Sequence, residues 1–290
     1  MPRRLILYFQ QKQFCTLNDQ FRKIASIHNN GKVNQLILVV SDVHLGYQES
    51  NRRDFLNFLE EVCKPLGLDD HLVLLGDILD FWRRNNVTVA IENQLIFKTL
   101  ESLKSKVHYI VGNHDYTLIT LRLPTSQFFD VRKTLRLEDN DIPYNFIHGY
   151  QLEALAIFEP LTIEEYESLC ISLCQRTGDF IGDILSVLWD TLHLSFKKGD
   201  KRQKTIRAIT EAPESRRDMH KVDQLARSSV RGLFLGLSRN ERLVFGHTHR
   251  PFIEEDVANT GSWVADAKIQ NTYLKIEDGK MELKTFKKKK

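Results

Sequence analysis

The sequence is short of several things, and each shortage removes a class of protein. Cysteine occurs only at positions 15, 63, 170 and 174, too sparse for a disulfide scaffold. Cys170 and Cys174 stand four apart in a helical-looking stretch, and nothing nearby completes a zinc pattern. Reduced thiols of a cytoplasmic protein are therefore expected. No apolar run approaches the roughly 18 residues that a membrane-spanning helix needs. Leu5 to Phe9, behind Arg3 and Arg4, is too short for the apolar core of a secretory signal. One-signed charge is scarce too: 41 Lys and Arg face 38 Asp and Glu, a net charge of +3, which does not by itself select nucleic acid as a partner. No internal repeat is visible.

What is present is enough apolar material for a full core, 42% of 290 residues, with a charged fraction that gives no sign of global disorder. Residues 1–34 are mixed and read as an N-terminal extension. Leu36 to Val40 is a continuous apolar run, as expected of a strand buried on both faces. It ends in Ser41-Asp42. A helix is predicted from about Arg52, with Phe55, Phe58, Leu59 and Val62 at helical spacing and Asn51 with Asp54 as its cap. The theme recurs. His71 to Leu75 ends in Gly76-Asp77, and a helix is expected over Val89 to Lys104. Val107 to Val111 ends in Gly112-Asn113-His114-Asp115. Pro143 to Ile147 ends in His148-Gly149, and Arg242 to Phe245 ends in Gly246-His247-Thr248-His249. Strands alternating with helices predict an α/β fold.

Between the last two strands, residues 151–240 read as helices over Leu152–Cys174, Phe180–Phe196 and about Arg216–Leu237. They are expected to be a helical insertion, a cap, in a core formed by 35–150 and 241–290. The end of the chain offers short strands at Gly261–Trp263, Tyr273–Ile276 and Met281–Phe286, with Asp278-Gly279 as a hairpin turn.

Five strand ends thus carry polar clusters, where open α/β sheets place their sites. Alternation along a strand suggests that Asp42 and His44 share a side, as do His247 and His249. The inventory of Asp42, His44, Asp77, Asn113, His148, His247 and His249 is two carboxylates, four imidazoles and one amide. That mixture suits Mn²⁺, Fe²⁺ or Zn²⁺, whereas an all-oxygen site for Ca²⁺ or Mg²⁺ would not use four histidines. One ion rarely needs seven ligands; two ions sharing a carboxylate use them well. Two divalent ions against two aspartates leave a positive site, which favours an anionic substrate. Such a pair generates hydroxide at neutral pH and clamps both oxygens of an in-line displacement at phosphorus. Each cluster alone has a plainer explanation, such as a turn or a surface strand. All five at successive strand ends do not. His28, His71, His108, His193 and His220 lie outside the clusters and are given no role.

The blocks Asp42-x-His44, Gly76-Asp77-x-x-Asp80, Gly112-Asn113-His114-Asp115, His148-Gly149 and Gly246-His247-x-His249 together resemble the calcineurin-like metallophosphoesterase superfamily. The resemblance covers about 30–150 and 241–265. It implies a two-sheet sandwich flanked by helices, with a binuclear centre at one edge. Asp42, His44 and His249 would hold one metal, Asn113, His148 and His247 the other, and Asp77 would bridge. His114 would protonate the leaving oxygen, oriented by Asp115, and Asp80 would steady a histidine ligand. Arg250 either contacts a phosphate oxygen or pairs with an acid. Two manganese ions are the expected cofactors, with iron or zinc as alternatives.

Several blocks, among them Gly76-Asp77-Ile78-Leu79-Asp80-Phe81-Trp82 and Asn259-Thr260-Gly261-Ser262-Trp263, are similar to the branch of UDP-2,3-diacylglucosamine pyrophosphatases. Those enzymes typically carry Arg where this chain has His114, which leaves the substrate open. A phosphorylated small molecule or a lipid-linked substrate is expected. Residues 197–231 hold eleven Lys and Arg against five Asp and Glu. Beside them runs the apolar stretch Phe180–Phe196. Peripheral membrane contact through 180–231 is one reading; a buried cap helix followed by a solvated basic loop is the other. The Lys287–Lys290 tail reads as membrane or nucleic-acid affinity, or as an idle end. The alternatives to a small-molecule phosphohydrolase are a general phosphodiesterase or phosphomonoesterase, a nuclease, which the lack of interleaved aromatics disfavours, and a non-catalytic relative.

Overall fold

In the computed structural model, residues 35–120, 130–158, 162–176 and 213–288 are described. The chain from Gln35 onward forms one unit. Its first sheet has the order β11-β10-β1-β2-β3-β4, from β1 (Ile37–Val40), β2 (His71–Leu75), β3 (Lys106–Ile110), β4 (Asp130–Arg132), β10 (Thr272–Glu277) and β11 (Lys280–Thr285). The run β1-β2-β3-β4 is parallel, and the hairpin of β10 and β11 closes one edge antiparallel. Asp278 and Gly279, both at positive φ, make the expected hairpin turn. The second sheet has the order β5-β6-β7-β9-β8, from β5 (Thr134–Asp139), β6 (Ile142–Ile147), β7 (Arg242–Phe245), β8 (Phe252–Glu254) and β9 (Val257–Asn259).

The apolar runs bury both faces, and the strand period decides which residue goes where. Ile37, Val39, Val73, Leu75 and Ile110 meet Leu135, Tyr144, Phe146 and Val244 between the sheets. Leu38, Val40, Leu72 and Leu74 face the other way, toward Phe55, Phe58, Leu59 and Ile96 of the helices. Those helices are α1 (Arg52–Phe58, continued by a wider turn over Leu59–Cys63), α2 (Asn86–Glu92) and α3 (Gln94–Glu101). The outer face of the second sheet, through Ile147, Leu243 and Phe245, covers Leu152, Val222 and Ala226. These come from α4 (Tyr150–Ile157) and α6 (Pro213–Arg227). The described residues also form α5 (Ile163–Arg176), α7 (Arg231–Leu235) and a 3-10 turn at Tyr116–Thr120. The architecture is a two-sheet sandwich flanked by helices, as the sequence suggested.

Five local expectations change, one of them the helix expected over about Arg216–Leu237, which is α6 and α7. Asn51 does not cap α1; its amide instead donates to Asn271 Oδ1 at 2.8 Å. The helix expected over Val89–Lys104 is two helices, split at Asn93, whose side chain donates to Val89 O. The stretch expected as one helix over Leu152–Cys174 is α4 and α5. Gly261–Trp263 is no strand but an irregular segment: Trp263 N donates to the Asp42 carbonyl at 3.0 Å, and its carbonyl accepts from Asn51 N. The helix expected at Phe180–Phe196, the basic run up to residue 212, and residues 1–34 lie outside the described residues. Among the described residues no helix is long and apolar enough to cross a membrane. Cys63, Cys170 and Cys174 are free and buried.

Candidate metal centre

Strand β1 stops at Val40 and β7 at Phe245, so strand alternation does not align the Asp-x-His and His-x-His pairs. The backbone does it another way. Asp42, His44, Asp77, His247 and His249 all take left-handed φ values, between 51° and 68°. Each costs a non-glycine residue roughly 1–2 kcal/mol, and such strain gathers at functional sites. The surrounding bonds enforce it. After the strands end, the loop behind β1 stays paired to the loop behind β2: Asp42 N to Gly76 O at 3.1 Å, His44 N to Asp77 O and Leu45 N to Ile78 O, both at 2.9 Å. Gly76, at φ +81°, carries no side chain because a Cβ there would lie 2.4 Å from His148 Nδ1. At Gly112 a Cβ would lie 2.1 Å from Asp77 Oδ1.

Each aspartate is held by one oxygen. Asp42 Oδ2 accepts from His247 N at 2.9 Å, and Asp77 Oδ1 accepts from His114 N at 2.8 Å. The other oxygens meet imidazoles. Asp42 Oδ1 lies 3.2 Å from His249 Nε2, and Asp77 Oδ2 lies 3.2 Å from His148 Nε2 and 3.8 Å from His44 Nε2. His44 Nε2 and His249 Nε2 are 3.3 Å apart, as are His148 Nε2 and His247 Nδ1 at 3.2 Å. The potential ligand atoms of Asp42, His44 and His249 fall within 4.8 Å of one another, and so do those of Asp77, His148 and His247. Asn113 Oδ1 is a buried acceptor with no hydrogen-bond donor, an arrangement that costs about 1–3 kcal/mol unless something else satisfies the oxygen.

The electrostatics agree. Burial alone would raise the Asp42 carboxyl, but His249 and His148 outweigh it and hold it below its usual range. Asp77 is held well below the carboxylate range against the same pull of burial, chiefly by His148 and His114. Burial would depress His148, yet Asp77 lifts its imidazole to about 10. These carboxylates demand positive charge beside them. A set of borderline nitrogen and carboxylate donors, with the unsatisfied Asn113 Oδ1 beside them, fits divalent cations.

The sequence-chosen residues therefore come together: all seven candidate ligands are buried or half-buried around one site, with His114 beside them. The expected orienting role of Asp115 is corrected. Its Oδ2 accepts from Ile78 N, Leu79 N and Tyr109 OH, and its Oδ1 accepts from Gly112 N. It staples the loops together, and burial with the Asp77 charge raises it to about 6. Asp80 holds His114 instead, Oδ1 to Nδ1 at 3.0 Å, while its Oδ2 takes His44 Nδ1 at the same distance and Arg83 Nη1 at 2.6 Å. Trp82 stacks on the His114 ring, centroids 4.1 Å apart. Arg250 sits on the cavity wall with Nη1 3.7 Å from Asp223 Oδ2. Glu153 of α4 was not singled out in the sequence. It is buried, and its Oε2 lies 2.9 Å from His247 Nε2. The available signal was an acid inside the apolar run Tyr150–Phe158. The whole site opens into a cavity of about 700 Å³, whose wall also carries Arg83, Met219, Lys268 and Ile269.

The family model of the calcineurin-like phosphoesterases matches residues 36–251. A UDP-2,3-diacylglucosamine hydrolase of Shewanella halifaxensis (strain HAW-EB4) is 24% identical over 256 residues, spanning 85% of this chain and 96% of that protein. Among solved structures, a novel archaeal phosphodiesterase is 15% identical with a TM-score of 0.40, covering 87% of this chain and 99% of its own. A single mutant of Vps29 from Entamoeba histolytica is 14% identical with a TM-score of 0.37, at the same coverage.

Proposed function

Since the chain belongs to the calcineurin-like phosphoesterase family and is a metal-dependent phosphoester hydrolase, we propose that it uses two divalent ions, with manganese preferred, to cleave a phosphate ester or pyrophosphate bond of a nucleotide- or lipid-linked substrate. The observation that carries the metal reading is the convergence of two sets of ligand atoms, Asp42 with His44 and His249 and Asp77 with His148 and His247, each set within 4.8 Å, beside the buried, donorless Asn113 Oδ1. Asp42, His44 and His249 would hold one ion and Asn113, His148 and His247 the other, with Asp77 between them. When bound, the ions would polarise the phosphate and activate a water molecule.

The chain's own groups do the rest. Asp80 holds the His114 ring through Nδ1, which leaves Nε2 as the atom able to hand a proton to the leaving oxygen. Trp82 covers one face of that ring and keeps water from it. Arg250, Arg83 and Lys268 on the cavity wall suit further phosphate oxygens, and Met219 and Ile269 suit an apolar portion. The substrate reading is supported by the Shewanella relative's name and by this mixed wall. The helices between residues 151 and 240 would form the cap over it. A cytoplasmic location, peripheral to the membrane, fits such a substrate.

The test is phosphate or nucleotide release from a panel containing a UDP-linked diacylglucosamine, simple mono- and diesters, and DNA, with Mn²⁺ and with His114→Ala as control. Turnover of the UDP-linked lipid above the variant is expected. Activity on DNA alone would establish the nuclease alternative. Activity on none would refute the reading.

A further inference from the structure

The sequence blocks do not reach Glu153, yet it touches the centre more closely than Arg250 does. Glu153 rises from α4 into the cavity wall and is 1% exposed. Its Oε2 takes two contacts, His247 Nε2 at 2.9 Å and the hydroxyl of Tyr166 from α5 at 2.6 Å. Burial and the Glu153 charge hold the Tyr166 hydroxyl well above its usual range, so the phenol keeps its proton and donates it. A carboxylate is an acceptor only. The imidazole nitrogen facing it must therefore carry the hydrogen. That puts the lone pair of His247 on Nδ1, the atom turned toward His148 Nε2 at 3.2 Å and toward the Asp77 cluster.

We propose that Glu153 is a positioning residue that fixes His247 in the Nε2–H tautomer and so aims Nδ1 at the second ion. This rests on reading the cluster as a metal site. It also gives the inserted helices a direct hand in the centre, since α4 supplies the carboxylate and α5 the hydroxyl that braces it. Neutral imidazole offers a ligand nitrogen only on the side opposite its N–H, and a carboxylate behind a ligating histidine both orients the ring and makes the nitrogen more basic.

The decisive measurement is ¹⁵N-histidine NMR on the full chain without metal, with His247 assigned from the signals missing in His247→Gln. The Nε2–H tautomer is expected. An Nδ1–H tautomer would overturn the proposal whether or not metal binds. Calorimetric titration with MnCl₂ follows for the wild type, Glu153→Gln and Glu153→Ala. The amide oxygen of Gln still accepts from Nε2–H, so Glu153→Gln should stay within about threefold of wild type. Glu153→Ala should lose about 10- to 100-fold at one of the two sites. Equal losses in both variants, or none in Glu153→Ala, would overturn it. If the wild type binds no manganese while the tautomer is as expected, the metal reading fails and the Glu153–His247 pairing stands.

Discussion

Asp80→Asn is the sharpest perturbation the structure offers. The buried carboxylate accepts through Oδ1 from His114 Nδ1 at 3.0 Å and Arg83 N at 3.1 Å, and through Oδ2 from His44 Nδ1 at 3.0 Å and Arg83 Nη1 at 2.6 Å. An asparagine keeps one acceptor and turns the other into a donor. If the new amide faces His44, that ring must place its hydrogen on Nε2, the atom that faces Asp77 and His249. It then cannot bind an ion, and metal affinity falls by about 10- to 100-fold. If the amide faces His114, the ring loses the acceptor that orients it through Nδ1, and about 10²- to 10⁴-fold of proton-transfer catalysis is at stake. Either way kcat/KM should fall at least about tenfold, about 1.4 kcal/mol of transition-state stabilisation. Hydrolysis of bis(p-nitrophenyl) phosphate across a manganese titration separates the branches, because excess metal restores only the first. Asp115→Asn is the control. Its carboxylate faces four donors and no catalytic ring, so it should lower the melting temperature more than the turnover. Full activity of Asp80→Asn, or an Asp115→Asn protein of unchanged stability and collapsed turnover, would refute the assignment.

Further outcomes follow from the same geometry. Gly76→Ala forces a side chain into a left-handed backbone and sets its methyl 2.4 Å from His148 Nδ1; a loss of about 2–4 kcal/mol in urea unfolding is expected. Chelation should lower the melting temperature, since an ion present at about 100 times its Kd contributes roughly 2.7 kcal/mol to the folded state; calorimetry with and without EDTA measures this. Burial, with His108 and Lys106 nearby, depresses His71 from 6.5 to about 4. A depressed histidine binds fewer protons folded than unfolded, so its contribution is complete above pH 6.5 and is lost as pH falls toward 4. After discounting for solvent, about 1–2 kcal/mol should disappear over that window, and His71→Gln should flatten that part of the urea-derived stability curve.

The strand ends were legible because parallel strands buried on both faces read as unbroken apolar runs. β1, β2 and β7 announced themselves in this way, whereas β3, with Lys106 and His108 and an open first half, showed through the polar cluster at its end. β5 did not, because its burial alternates and four of its six residues are exposed or half-buried. β4, β8 and β9 are three residues each, too short for a period to show. At the site, residue types and order were enough to gather the ligands. The resemblance implied Asp115 as the partner of His114, but consecutive side chains on a tight loop diverge, and Asp115 turns to Ile78, Leu79, Tyr109 and Gly112. Asp80, 34 positions away, arrives through the pairing of the β1 and β2 loops. Glu153 sits on a helix whose register against β7 no local pattern encodes.

The anchoring of one oxygen on each aspartate bears on denticity. With Asp42 Oδ2 accepting from His247 N and Asp77 Oδ1 from His114 N, a carboxylate that chelated an ion through both oxygens would have to share or give up that bond. Each would offer an ion chiefly its other oxygen. Calcium, which takes six to eight oxygens and commonly recruits a bidentate carboxylate, would find its coordination shell half empty here. Small ions content with four to six donors would not, so two backbone amides would add to the discrimination against calcium that the four imidazoles already bring.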